Sequence, residues 1–166
     1  MFTKHDNLGE GESSRRNEGC IRPPRRMALA LLGLALAGWG SSAWATHDES
    51  LVLAYEAAAP YVEKGFTVRE DNWKGKAKPG QPLLFKHQLF RGNEYWFWVA
   101  TSFPNSKTAI GVYDDKGNSV SLEVFSRDGQ AGVRVLPKKT GTYFVRVTIL
   151  STQFKEIDWG LVYGYR

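Results

Sequence analysis

The chain has 166 residues, with 22 lysines and arginines against 17 aspartates and glutamates, a net charge of +5 and a single cysteine. Six of the basic and four of the acidic residues precede Thr46, which leaves 16 against 13, or +3, for the rest. That mild balance, with no basic run there longer than Lys138-Lys139, does not suit a nucleic-acid binder, and one cysteine excludes a disulfide framework.

The first element is an export signal. Arg22, Arg25 and Arg26 form a basic entry, Met27 to Ala37 run almost wholly apolar, and Ala43-Trp44-Ala45 is a small-x-small site that predicts cleavage after Ala45. The apolar run falls short of the ~20 residues that a membrane-spanning helix needs, so no stable span is expected after cleavage. Arg25-Arg26 invites a twin-arginine route, but Met27, Ala28 and Leu29 match that motif poorly, and ordinary secretion is the better reading. Cys20 precedes the apolar core instead of marking the cleavage point, which argues against a lipid anchor. The residues before Arg22 read as a long n-region or as lying upstream of the true start. The expected division is a signal over 1–45, a helical segment over 46–65 and a β-sandwich over 66–166, in a periplasmic or secreted protein. The exported part has no cysteine, so its core must hold it together unaided in an oxidising compartment.

Asp48 or Ser50 can cap a short helix that runs to about Ala59, with Leu51, Tyr55, Ala58 and Ala59 on one face. Pro60, which lacks an N–H, should end or kink it, and Gly65 closes the segment. Beyond Phe66 the pattern changes to period two. Strands are expected at about 66–70, 83–90, 94–101, 109–113, 120–126, 132–136, 142–150 and 159–165, separated by turns rich in Gly, Pro, Asn and Asp. Lys74, Lys76 and Lys78 alternate with small residues before Pro79-Gly80 and read as a solvated loop, or as a contact for an anionic polymer. The whole predicts an all-β, antiparallel, jelly-roll-like sandwich of about eight strands with one short N-terminal helix.

Alternation assigns the faces. Tyr143, Val145, Val147 and Ile149 point to the core, as do Trp159, Leu161, Tyr163 and Tyr165, and also Tyr95, Phe97 and Val99. Trp96 and Trp98 then point outward side by side. Two readings follow. They form a flat platform on which sugar rings stack, which makes them the candidate ligand-binding residues, or the N-terminal helix, through Leu51 and Tyr55, lies over them as a second small core.

Three further stretches carry a resemblance. They are Leu89-Phe90-Arg91-Gly92-Asn93-Glu94-Tyr95, then Ile110 to Asn118 (IGVYDDKGN), and Leu136 to Val147 (LPKKTGTYFVRV), with Tyr163-Gly164-Tyr165 at the close. In order, they are similar to the "L-x-x-G-x-x-Y", "L-x-L-Y-D-x-x-G-N", "A-P-x-x-G-T-Y-x-V-R-V" and "Y-x-L" segments of the bacterial pre-peptidase C-terminal domain. The resemblance covers about two-thirds of the exported chain. It implies a compact non-catalytic sandwich that serves adhesion, chaperoning of an enzyme or surface attachment. Calcium-binding members carry an Asp-rich run where this chain has Ser106-Lys107-Thr108-Ala109. Asp114, Asp115 and Asn118 remain as candidate calcium ligands, but two carboxylates fall short of the roughly six to eight oxygens calcium takes, and Asp-x-Gly-Asn serves equally as a hairpin turn.

Catalysis finds no support. Past Thr46 the chain has no cysteine, no Gly-x-Ser-x-Gly, no His-Glu-x-x-His and no phosphate loop, and its histidines are His47 and His87. Glu94 and Glu123 are one carboxylate pair that a glycosidase could be imagined to use. No cofactor is expected. The functional expectation is an exported non-catalytic binding or adhesion module for polysaccharide or envelope material. The alternatives are a partner-binding subunit of an exported complex and a small hydrolase; the oligomeric state is open.

Overall fold

A computed structural model of the chain describes residues 47–166. The expected signal, its cleavage point at Ala45 and Cys20 lie outside the described residues. One helix, α1 (His47–Val62), is followed by eight strands: β1 (Thr67–Ala77), β2 (Pro82–Leu89), β3 (Tyr95–Thr101), β4 (Lys107–Tyr113), β5 (Ser121–Arg127), β6 (Gln130–Val135), β7 (Gly141–Ser151) and β8 (Ile157–Tyr165). They form two antiparallel sheets, of order β1-β8-β3-β6-β5 and β2-β7-β4. This is the all-β sandwich with one N-terminal helix that the strand spacing predicts. Among the described residues no helix is long and apolar enough to cross a membrane.

The core between the sheets is built by the alternating residues. Phe97 and Val99 of β3, Val145, Val147 and Ile149 of β7, Val133 and Val135 of β6, and Leu161 of β8 are all 1% exposed or less. Burial of that apolar surface is the main force holding a disulfide-free domain of this size together.

Three features differ from expectation. The helix continues through Pro60 to Val62. The proline lies in the last turn, where its missing N–H frees only the carbonyl of solvent-exposed Glu56, and Gly65, at a φ of 87°, closes the turn that follows Val62. Because the helix starts at His47, Ser50 is an interior, fully buried residue and not a cap. The packed stripe is Ser50, Ala54 and Ala58, while Ala59 is exposed.

The third difference is β1. It does not stop near Glu70 but runs to Ala77, so Lys74 and Lys76 belong to a strand and not to a loop. Their small neighbours are the inward half of an edge strand, with Trp73 and Ala77 against the core and the lysines in solvent. β1 pairs with β8 through a bulge: Val68 lies opposite Gly164 and Asn72 opposite Val162, so Arg69, Glu70 and Asp71 swell out of the ladder.

Candidate functional site

Trp96 and Trp98 do lie together on the outer face of the five-stranded sheet, but that face is covered. Their rings are stacked at 6.0 Å with 6° between planes, and Tyr61 of α1 rests against them at 4.5 and 5.2 Å. Trp96 is 2% exposed and Trp98 is fully buried. The structure thereby overturns the sugar-stacking platform and realises the helix-covered alternative. The sequence arranges this through size. Trp96 faces Gly164, and Trp98 faces Gly132, so each large ring has a neighbour without a side chain. Gly160 sits on the same face of β8, under the backbone of Leu51. Ala54 and Ala58 then bring the helix down onto the rings.

Asp114, Asp115 and Asn118 come together as a turn. Asp114 Oδ1 accepts the backbone N–H groups of Lys116 (2.9 Å) and Asn118 (2.8 Å), and Oδ2 accepts Asn118 Nδ2 (3.1 Å). The Asn118 contacts, side chain first and then backbone, hold the Asp114 carboxyl below its usual range. Asp115 pairs with Lys139 at 3.3 Å. Both carboxylates already face donors, which a calcium ion would have to displace.

Glu94 and Glu123 do not face each other across a cleft. Both reach the same guanidinium: Arg134 lies 3.0 Å from Glu94 and 3.2 Å from Glu123, and Arg166 is 2.8 Å from Glu94. Burial pushes the Glu94 carboxyl up, but the hydrogen bonds from Arg134 and Arg166 outweigh it and hold the group low. Arg166 also donates to the Lys64 carbonyl (2.9 Å), tying the end of β8 to the end of the helical segment.

Two features among the described residues bear most directly on a partner. The first is the outer face of the three-stranded sheet, which carries no cover among the described residues. Leu84 is 62% exposed there, and beside it Tyr113 and Phe144 stand opposite one another on β4 and β7. The Tyr113 ring lies over Gly111, and the Arg146 guanidinium stands over that ring at 4.8 Å. These side chains line a shallow depression of about 390 Å³, with Asp114 and Asp115 at its rim.

The second feature lies where β1 and β2, the edge strands on one side of the sandwich, approach each other. His87 of β2 sits edge-on to Tyr163 at 4.3 Å and to Phe97 at 5.7 Å. The bulge brings Asp71 within 3.4 Å of the Tyr163 hydroxyl, which Arg69 also engages. Burial lowers the His87 pKa against the opposing pull of Asp71, and burial with Asp71 raises that of Tyr163. A cavity of about 230 Å³ opens here. Sequence reasoning passed over it, because Tyr163 reads as an ordinary inward residue and His87 was weighed only as a catalytic histidine; the charged run Arg69-Glu70-Asp71 within β1 is the signal that could have drawn attention.

No family model matches the chain, and no curated protein does. Among solved structures it is similar to PliG of Aeromonas hydrophila, a periplasmic inhibitor of g-type lysozyme. The superposition has a TM-score of 0.38 and 16% identity, and covers 62% of this chain and 90% of that one.

Proposed function

We propose that the protein is an exported, non-catalytic binding protein on a pre-peptidase C-terminal-like sandwich, and that it engages another exported protein through the outer face of the β2-β7-β4 sheet. The asymmetry of the two sheets carries this reading. One outer face is sealed by α1, whereas the other presents Leu84, Tyr113, Phe144 and Arg146 to solvent. Contiguous exposed apolar surface on a soluble domain marks an interaction site, and aromatic and arginine side chains dominate binding energy in such sites. A sugar-binding role gains nothing from Trp96 and Trp98, which are buried.

The titratable groups support a non-catalytic reading. Burial and Asp71 favour the protonated form of Tyr163, so it is not a poised nucleophile near neutral pH. The two glutamates that might have served hydrolysis are bound to Arg134 and Arg166.

Cross-linking the purified protein within an extract of exported proteins tests the proposal, with Leu84→Asp as the comparison. The wild type should yield a discrete cross-linked partner that the folded variant loses. A partner retained equally by both, or a wild-type chain that yields none, would remove the sheet face as the binding surface.

A further inference from the structure

The cavity between the β1 bulge and the β2–β3 turn has the features of a small-ligand site, and it is separate from the sheet face. Its two walls are fixed before any ligand arrives. On one side the turn after β2 is pinned at several points. Phe90 N–H and Asn93 Nδ2 both donate to the Tyr95 hydroxyl (3.1 and 3.3 Å), Arg91 N–H donates to Thr140 Oγ1 (3.0 Å), and Glu94 and Arg166 exchange backbone hydrogen bonds (3.0 and 3.1 Å). On the other side the bulge is held by Asn72 Nδ2 on the Glu70 carbonyl (2.8 Å) and by Asp71 on Tyr163 (3.4 Å). Bulges re-aim side chains in this way next to binding sites, and pre-organised walls reduce the ordering cost of binding.

The lining chemistry selects the ligand class. Arg69 is the charged side chain of the lining, and Asp71 stands outside it, 3.4 Å from the Tyr163 hydroxyl, where its carboxylate offsets the Arg69 charge and leaves the site without a strong preference for either ion. Its hydrogen-bonding groups are planar and offer both donors and acceptors: Arg69, Asn93, Gln88 and the Tyr163 hydroxyl. At the mouth Phe90 is 53% exposed, an apolar face beside a polar hollow. Alternating hydroxyls over a C–H face are what such a surface complements, and about 230 Å³ accommodates one pyranose ring.

We propose that this cavity binds one neutral sugar residue, with its ring against Phe90 and its hydroxyls toward Arg69, Asn93 and Tyr163. The site does not depend on the sheet-face reading, and either can fail alone.

The test titrates the purified protein with chitotriose, cellotriose and maltotriose, following backbone amide shifts by NMR and affinity by calorimetry. At least one sugar should saturate at millimolar concentration, with the largest shifts at Arg69, Phe90, Asn93 and Tyr163. Phe90→Ala and Arg69→Ala alter exposed side chains and should each weaken binding about tenfold, in keeping with the loss of one stacking or hydrogen-bonded contact. Phe90→Tyr should retain binding, and Leu84→Asp should leave it unchanged. Glycylglycine and acetate serve as charged probes. The inference is overturned if no sugar saturates, if the shifts centre on Leu84 and Phe144, if Phe90→Ala binds as well as wild type, or if only a charged probe binds.

Discussion

Gly160 of β8 lies directly beneath Leu51 of α1: a Cβ placed on Gly160 would stand 2.6 Å from the Leu51 Cα and 2.7 Å from its nitrogen. The helix backbone rests on this one bare position, and the closure of the outer face over Trp96 and Trp98 depends on it. Gly160→Ala must therefore lift or shift the helix, since the obstructing atoms are backbone and cannot rotate away. Over-packing of this kind costs about 1–3 kcal/mol. The expected outcome is a lower melting temperature with red-shifted tryptophan emission as Trp98 gains contact with water. Unchanged melting and emission would show that the helix is not seated as described.

Trp98 stabilises the fold and does not contact ligand. It is fully buried and stacked on Trp96 beneath Tyr61. Trp98→Ala should cost about 3–5 kcal/mol, the usual range for removing a buried aromatic, measured by denaturant unfolding. A variant of wild-type stability that had lost affinity for a polysaccharide would restore the platform reading.

Acid should destabilise the protein in two stages. The folded state lowers the His87 pKa from its ordinary 6.5, so the unfolded chain takes up the proton first. Stability is fully present above that value, falls as pH drops through it, and levels off once the folded form also protonates. Asp71 is the charged group that opposes the shift. Glu94 acts lower: its pKa is held beneath an ordinary 4.5, so its contribution is lost as pH falls below that. Melting curves between about pH 7 and about pH 5 should slope downward for the wild type and flatten in His87→Phe. An identical slope in both would assign the effect elsewhere.

How much of this was legible depended on what kind of contact set each feature. The sandwich was readable because one face of strands such as β3, β7 and β8 buries large apolar residues, as in Tyr143, Val145, Val147 and Ile149, and a period of two survives any tertiary detail. β1 was half missed because Trp73, Gly75 and Ala77 form an inward face of mixed size between lysines, and small residues resemble a loop. The helix stripe was misplaced for a related reason. Ser50, Ala54 and Ala58 are chosen for closeness to Gly160 and the tryptophans, which no hydrophobicity pattern ranks above Leu51 or Tyr55. The His87 cavity depends on residues as far apart as Asp71 and Tyr163, 92 positions in sequence. A bulge, invisible in the pattern, brings them together.

The Asp114 hairpin gives the last prediction. Both of its carboxylate oxygens accept hydrogen bonds from within the turn, and neighbouring Asp115 is paired with Lys139. If the turn is the whole role, Asp114→Ala lowers the melting temperature modestly, because the Lys116 and Asn118 N–H groups lose their acceptor, and it does so equally in calcium and in chelator. Asp114→Asn should keep part of the stability, since its amide oxygen can still accept one of these bonds. The wild type should melt at the same temperature in both solutions. A calcium-dependent rise in the wild type that Asp114→Asn abolishes would show instead that the hairpin gives up its internal donors to hold the ion, with backbone carbonyls and water completing the shell.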